Sequence, residues 1–447
     1  MAVTSEASLQ RGVRLLGLGF LGVFGGFQAA QGLQSSLNAG LGQLNLACLY
    51  VAFSTLCLVA PPVLSFLERR MGMQVLLLMC SAAYAAMALS NILPVPATPS
   101  PLWAVPVAFN VLVGVAAPLL WTGQNTYVAR CAAAAADLLQ EPAEKWTTRY
   151  NSIFFSMYQI SGMSGNILAS VILLALGQAE WAKQVLFVTL GILCLLGAFV
   201  FLLMPSVEGA ADSSHPGLLD TGRLALTDAR MRLTIPLILT NGMTLASFLG
   251  DFQAEVTCRV SGPAFTGFVI ATFYGVNSAA SAVWGALLSR KWLSRRQVFS
   301  AASLLVLGFL LAKLLWPVPT NFRRVAGGTS WEHVPGAEVQ ALDVVVVFLL
   351  AAVFALGDSF WEAGPPMTLQ TFYAGSSKVV PAMANCKLWQ ALGVALQFFM
   401  AIFLENLPHV RGAILITLTL LSWLCILVLD GCVAAVDGSD KPLENTC

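Results

Sequence analysis

The chain has 447 residues, of which 57% are hydrophobic and only 10% are charged. Soluble domains usually carry about 25% charged residues, so the composition excludes an ordinary soluble domain. The net charge of +1 gives no field that would attract nucleic acid. The short polar N-terminus runs into an apolar stretch that no small-residue cleavage site follows, which predicts a retained helix and not a removed signal peptide.

Apolar runs bounded by charged residues or by Pro and Gly clusters predict twelve membrane-spanning helices. We therefore expect an all-α polytopic membrane protein. Most of the 23 Lys and Arg residues fall in alternate loops, which the positive-inside rule assigns to the cytosol together with both termini. The predicted spans are 13–34, 43–67, 72–93, 101–128, 150–176, 183–204, 232–254, 263–289, 297–316, 342–363, 382–405 and 410–430.

A polar segment divides these spans six and six. The expected organisation is a cytosolic N-terminus (1–12), an N-terminal six-helix bundle (13–204), a cytosolic central linker (205–231), a C-terminal six-helix bundle (232–430) and a cytosolic tail (431–447). Similar patterns in the two halves support a duplication. Gly-Gly-Phe-Gln-Ala at 25–29 corresponds to Gly-Asp-Phe-Gln-Ala at 250–254, and basic loops follow both span 2 and span 8. A parallel repeat of six helices predicts the fold of the major facilitator superfamily.

Four stretches carry a more specific likeness. They are Phe27-Gln28 with 33–42, Pro118–Gln124 with Tyr127, Arg149–Asn151 with Tyr158-Gln159 and Gly165-Asn166, and Gly357-Asp358 with Lys387 and Trp389-Gln390. On these residues the chain resembles the Unc-ninety-three-like (uncoordinated) family, a divergent branch of the major facilitator superfamily. It departs from the family pattern at 359–362, where Ser-Phe-Trp-Glu replaces the usual asparagine and glutamine, and it has no Asn-x-Ser/Thr sequon.

The resemblance implies a function that is not simple transport. One member of that family is a regulatory subunit of a two-pore potassium channel, another is a trafficking chaperone for nucleic-acid-sensing Toll-like receptors, and plant members are tied to potassium homeostasis. The implied role is therefore a regulatory or trafficking partner of an ion channel or receptor. Fold alone does not decide function.

Charged residues inside spans are the strongest functional indicators, because a charge near the bilayer centre costs about 2.5–3.5 kcal/mol on insertion scales. Asp358 and Lys387 are expected at equal depth on consecutive spans, which predicts an ion pair that acts as an inner gate or coupling site. The alternative is a structural clamp, or a lysine that reaches to the cytosolic interface. Asp251 and Glu255, one turn apart near the outer end of span 7, are candidates for taking up protons or cations, and the alternative is a solvated helix end.

Amide and phenol side chains in the spans are candidates for lining a central cavity. For each of them, the alternative is a hydrogen bond that holds neighbouring helices together, worth about 0.6–2 kcal/mol. The set is Gln28, Gln124, Asn125, Tyr127, Gln159, Asn166, Asn277 and Gln390.

No motif of an enzyme, a cofactor or a metal site is present in the sequence, so we expect no catalytic residues, no cofactor and no metal. Two hypotheses remain: a regulatory or trafficking partner, which the family resemblance favours, and a secondary active transporter working by alternating access, which the fold and the polar residues favour. The expected surroundings are a lipid bilayer, at the plasma membrane or an endomembrane, and no nucleic acid. The sequence leaves the substrate, the partner and the oligomeric state open.

Overall fold

The structure is a computed structural model that describes residues 5–37, 39–93, 96, 99–141, 143–177, 181–207, 220–325, 331–373 and 378–437. Part of the predicted linker, 208–219, and the end of the predicted tail, 438–447, lie outside the described residues. The chain divides into two compact units, mainly Met1–His215 for the first and mainly Pro216–Gly262, Gly275–Arg324 and Trp331–Cys447 for the second.

The first unit contains seven α-helices in its described residues. Their bounds are α1 (Glu6–Leu37), α2 (Ala39–Cys57), α3 (Ala60–Met71), α4 (Met73–Ser90), α5 (Ala104–Leu139), α6 (Ala143–Leu176) and α7 (Ala182–Val200), with short 3₁₀ turns at Pro101–Trp103 and Phe201–Leu203.

Small residues let these helices approach closely. A Cβ atom built on Gly165 of α6 would overlap the backbone of Gly25 in α1, and one built on Gly22 would press on Gly197 of α7. Close backbone contact between small residues is the usual way in which membrane helices pack, because lipid offers no hydrophobic driving force between them. The glycines of α1 therefore allow α6 and α7 to pack closely against it.

The second unit contains the remaining helices. They are α8 (Asp220–Thr227), α9 (Ala229–Ala246), a π-helical segment (Ser247–Thr257), α10 (Cys258–Ser261), α11 (Thr266–Ser289, whose first turns group with the first unit), α12 (Arg295–Leu315), α13 (Ala341–Phe372), α14 (Val379–Phe403) and α15 (Pro408–Asp437), with a 3₁₀ turn at Pro263–Phe265. Glycines again mark the closest packing: Gly242 of α9 faces the backbone of Gln390, and Gly393 of α14 faces the backbone of Leu239.

A two-stranded antiparallel hairpin joins α12 to α13. Its strands are β1 (Phe322–Arg324) and β2 (Trp331–His333), with Arg323 opposite Glu332. The side chain of Asn321 donates a hydrogen bond to the carbonyl of Val260 at 2.9 Å, so the hairpin is held against the end of α10.

Eleven helices of the described chain are long and apolar enough to cross a membrane, and the expectation of an all-α polytopic membrane protein is confirmed. The predicted eighth span, 263–289, is the continuous helix α11, which falls outside those eleven. It carries Asn277 and several serines, which lower its hydropathy without shortening the helix.

The fourth and tenth spans extend furthest beyond their predicted ends. The fourth span continues through the Ala-rich stretch as α5 to Leu139. The tenth continues through Pro365 and Pro366 to Phe372 as α13, although proline usually kinks or ends a helix. Proline is tolerated inside membrane helices when neighbouring groups satisfy the backbone that it leaves unbonded.

Candidate functional site

A buried carboxylate forms the centre of the second unit. Asp358 of α13 is fully buried. Its Oδ1 accepts a hydrogen bond from Nδ2 of Asn241 at 2.8 Å, and its Oδ2 accepts one from Nδ2 of Asn277 at 3.0 Å. Three helices, α9, α11 and α13, therefore meet at one carboxyl group, and two fixed amide donors replace the water that it would otherwise bind.

The same network continues to Lys387, but not as the predicted ion pair. Gln390 donates through Nε2 to Oδ1 of Asn241 at 2.9 Å, and its Oε1 accepts from Nζ of Lys387 at 3.1 Å. No ion pair joins Asp358 to Lys387, both of which are described, and Lys387 is exposed while Asp358 is buried. The polar chain from carboxylate to ammonium thus passes through two amides.

The failed pairing has a simple geometric cause. The equal depth of Asp358 and Lys387 was counted from a span ending near 363, whereas α13 ends at Phe372 and α14 begins at Val379. At about 1.5 Å per residue, Asp358 lies roughly 21 Å from the end of its helix and Lys387 roughly 12 Å from the start of its own. The prediction of a direct charge pair is therefore corrected.

A second charged cluster lies where the π-helical segment meets α12 and α15. Nη1 of Arg411 lies 2.9 Å from Oδ1 of Asp251, and its Nη2 pairs with Glu255. Nζ of Lys313 lies 3.5 Å from Oε2 of Glu255. Only 4% of the side chains of Arg411 and Asp251 is exposed. We call these four residues the charge tetrad; it holds two acids and two bases, so its formal charges cancel.

The π-helical segment positions the acids of the tetrad. It spans Ser247–Thr257, and such segments are rare and occur frequently at functional sites. The second oxygen of Asp251 accepts from Nε2 of Gln397 at 2.7 Å and from Oγ of Ser247 at 3.3 Å. Asp251 and Glu255 thus do not form the solvated helix end considered as an alternative, because basic residues from two other helices cover them.

In the first unit, Gln28 links α1 to α6. Its Nε2 donates to the hydroxyl of Tyr158 at 3.2 Å, and its Oε1 accepts from Oγ of Ser161 at 3.1 Å. The ring of Tyr158 packs on Phe24 and Trp121, with centroids 5.2 and 5.1 Å apart. Gln28 therefore holds helices together while bordering an aromatic cluster.

The other polar residues predicted in the first unit are not brought into one group. The Tyr127 hydroxyl donates to the carbonyl of Pro205 at 2.9 Å, and Nδ2 of Asn166 donates within its own helix to Gly162. Asn125 is exposed and Gln159 is half-buried. That the whole set lines a cavity stays a prediction.

Gln124 differs from all of these residues. It is fully buried, and neither its oxygen nor its nitrogen has a hydrogen-bond partner. Asn45 of α2 has the same two properties. A buried amide without a partner costs about 1–3 kcal/mol. Gln124 was predicted from the sequence as a candidate cavity residue, whereas Asn45 was missed.

An ion pair connects α3 to α5 in the first unit. Arg130 forms two hydrogen bonds to the carboxylate of Glu68, of which the one from Nη2 to Oε2 is 3.1 Å long. Glu68 follows predicted span 2 in the sequence, but the structure places it in the last turns of α3. The ion pair therefore holds the end of α3 against α5.

Asp228 caps the first membrane helix of the second unit. Its carboxylate accepts from the backbone N–H of Arg230 at 3.0 Å and from the guanidinium of the same residue. Burial raises the pKa of Asp228, but the hydrogen bonds and the positive charge of Arg230 outweigh burial and hold this pKa below its usual value.

The residues that sequence reasoning missed are mainly the partners. Asn241 had no distinguishing motif, and Lys313 and Arg411 lie at the ends of the predicted spans 297–316 and 410–430. One feature of the sequence indicated a partner for Arg411. Arg411 lies at the start of span 410–430 and Glu255 directly follows span 232–254, so both are expected at the same membrane surface, and Arg411 has no adjacent acid in the sequence. In the described residues, no group of three or more His, Cys, Asp or Glu side chains could hold a metal ion.

The fold belongs to a well-defined class. The structure is similar to that of the nucleoside transporter NupG, with a TM-score of 0.65 and 9% sequence identity over 94% of this chain and 98% of that one. Identity this low supports the fold alone, so the class is a polytopic membrane protein with a major facilitator-type fold.

The family follows from the sequence comparisons. The family model described as "Ion channel regulatory protein UNC-93" matches residues 34–427, and the chain belongs to this family. It is similar to protein unc-93 homolog A of Bos taurus, at 25% identity over 88% of each chain. A Caenorhabditis elegans relative, named for potassium channel regulation, is 21% identical over 86% of this chain and 56% of that longer protein. The family resemblance inferred from the four stretches is confirmed.

Proposed function

We propose that this protein is a regulatory partner of a potassium channel and does not itself carry a solute. Family membership supports this assignment, since the family description names ion channel regulation and the nematode relative is named for potassium channels. The proposal includes a non-enzymatic role, two six-helix bundles joined by the 205–231 linker, and both termini in the cytosol.

The observation that carries the proposal is that three acids of the second unit, Asp251, Glu255 and Asp358, already have fixed protein partners. Asp251 and Glu255 are neutralised by Arg411 and Lys313, and Asp358 is held by two amide donors. A coupling carboxylate must exchange its partner in each transport cycle. Fixed pairing inside one unit favours a structural role for these charges, and hence a protein that acts through contact with another membrane protein.

The test separates channel regulation from transport by using two preparations. Deletion of the gene in the native cell should change the whole-cell potassium conductance, and re-expression of the wild-type chain should restore it. The purified chain reconstituted in liposomes should give no flux of radioactive rubidium. Affinity capture from native membranes should recover a potassium channel.

A secondary transporter remains the second candidate because of one observation. Asp358, Asn241, Gln390 and Lys387 form a continuous polar chain from a buried carboxylate to an exposed ammonium. Solute or rubidium flux in liposomes that Asp358→Asn abolishes, with Glu338→Gln as the exposed carboxylate control, would overturn the regulatory proposal. A receptor escort would instead leave the potassium conductance unchanged and lower the amount of its receptor at its destination membrane.

A further inference from the structure

The short loop between α11 and α12 concentrates positive charge around an exposed tryptophan. Its cations are Arg290, Lys291, Arg295 and Arg296, and Trp292 lies between them with 67% of its surface exposed. Because α12 is long and apolar enough to span a membrane and five residues separate it from α11, the loop must lie near the membrane–water interface. Tryptophan and basic residues are enriched at that depth.

The backbone of the loop is held in a tight turn that presents these side chains. The N–H of Trp292 bonds to the carbonyl of Leu287, and the N–H of Lys291 bonds to that of Leu288, which is a Schellman motif. Lys291 occupies the left-handed position with φ 58°, where glycine is usual. The chain thus holds a cation at a position that would be more stable as glycine.

Three of the four cations of this loop have no acidic partner among the described residues. None of the ion pairs in the described part of the chain involves Arg290, Lys291 or Arg296. The guanidinium of Arg290 lies 5.4 Å above the ring of Trp292. Arg295 and Arg296 also begin α12, where the helix dipole is positive, so their charges add to it.

The corresponding basic segment of the first unit, at the end of α3, provides a contrast. There Glu68 pairs with Arg130, and Nε of Arg69 donates to the carbonyl of Ser65 at 3.1 Å. Arg70 lies 4.6 Å above the ring of Phe66. Both segments place a cation beside an aromatic ring. The end of α3 contains Glu68, whereas the segment 290–296 contains no acid.

We propose that the loop at 290–296 binds the headgroup of a polyanionic phospholipid, a phosphoinositide of the membrane leaflet that faces it. The anion lies among the cations and the helix terminus, while Trp292 enters the interfacial layer beside the acyl chains. A phosphoinositide carries more than one phosphate, which matches a cluster of several cations better than a single charge does. The loop charges assign this face to the cytosolic leaflet, where anionic lipids concentrate.

The experiment uses the full-length chain in nanodiscs of phosphatidylcholine with and without phosphatidylinositol bisphosphate. Native mass spectrometry of the protein released from the discs counts retained lipid, and titration with a short-chain phosphatidylinositol bisphosphate gives the affinity. Each lost cation should weaken binding about fivefold, so the double variant Arg290→Gln/Lys291→Gln should weaken it about 25-fold. The control Arg70→Gln, in the basic segment at the end of α3, should leave the affinity within about twofold.

Two further results make the test independent of folding. Lys291→Gly should weaken lipid binding while it raises the unfolding temperature, because glycine relieves the left-handed conformation. Equal affinity in wild type and all the variants would overturn the proposal. So would binding of soluble inositol trisphosphate as tightly as the lipid, since the site would then not need a membrane.

Discussion

The charge tetrad makes a quantitative prediction about the stability of the second unit. Arg411→Gln removes the one cation that contacts both acids and leaves Asp251 buried without its charge partner. Removing one member of a buried ion pair typically costs about 3–5 kcal/mol, because the remaining charge stays desolvated. Lys313→Gln should cost only about 1 kcal/mol, since Lys313 lies 3.5 Å from a partner whose side chain is 27% exposed.

A double variant shows whether the cost comes from the uncompensated charge. Arg411→Gln/Asp251→Asn removes both charges and leaves Glu255 with Lys313, so it should be more stable than Arg411→Gln alone. This requires that the coupling energy of the two substitutions, typically about 0.5–3 kcal/mol for residues in contact, exceed the cost of Asp251→Asn alone. An additive model instead predicts that the second substitution lowers stability further.

Thermal unfolding in detergent measures these differences, with a thiol-reactive dye as the reporter. Most of the described cysteines are buried and become reactive only when the helices separate. If Arg411→Gln unfolded at the same temperature as Lys313→Gln, or if the double variant were the least stable of the set, the reasoning about an uncompensated buried charge would be refuted.

Three further predictions use the same assay. Gly165→Ala should destabilise the first unit by about 1–3 kcal/mol, because the added methyl group would overlap the backbone of Gly25. The control Gly308→Ala, which has no atom within 4 Å of the added carbon, should be neutral or slightly stabilising. Equal effects of the two substitutions would contradict the packing argument. Gln140→Gly should stabilise by up to about 1 kcal/mol, since residue 140 has φ 53°, and a loss of stability would show that its side chain matters more than its backbone. The pKa of Asp228 is lowered in the folded protein, so its carboxylate stabilises the fold above the unfolded-state pKa of about 3.9 and loses that effect as the pH falls through the folded pKa; the difference between wild type and Asp228→Asn should shrink in acid, and a difference that is constant with pH would exclude this role.

The fold class could be predicted from the sequence because the bilayer imposes a simple rule. Every backbone polar group in lipid must be bonded internally, so long apolar runs become helices. Helix ends were less predictable. Pro365 and Pro366 are helix breakers in water, yet α13 passes through both, because proline's cost depends on neighbours that the local sequence does not contain.

The partners of the charged residues could not be predicted, because they depend on helix rotation and register. Asp358 was singled out as an intramembrane acid and is buried in the structure, but its partners are Asn241 and Asn277, from helices far away in sequence. The length of α13 explains the wrong prediction of an ion pair with Lys387. An error of nine residues in its end, between 363 and Phe372, displaced the expected depth of Asp358 and created a pairing with Lys387 that the structure does not contain.

The π-helical segment escaped prediction for a related reason. Its sequence has the apolar pattern of an ordinary helix, and Gly250 within it answers Gly25 of α1, which is purely α-helical. The difference between the two copies is Asp251, where α1 has Gly26. Hydrogen bonds to Gln397 and the ion pair with Arg411 act on this one position, and we infer that they stabilise the wider helical turn in the second unit alone.

This asymmetry between the two copies bears on function. In the duplicated sequence, charge inside the spans is concentrated in the second unit, where Asp251, Glu255 and Asp358 all have bonded partners. The first unit instead carries buried amides, among which Gln124 and Asn45 have no partner. Bonded charges lock the arrangement of the helices that supply them, whereas a partnerless amide is stabilised by any polar group that reaches it. The buried acids of the second unit are therefore already bonded, whereas these two amides of the first unit remain open to a further polar partner.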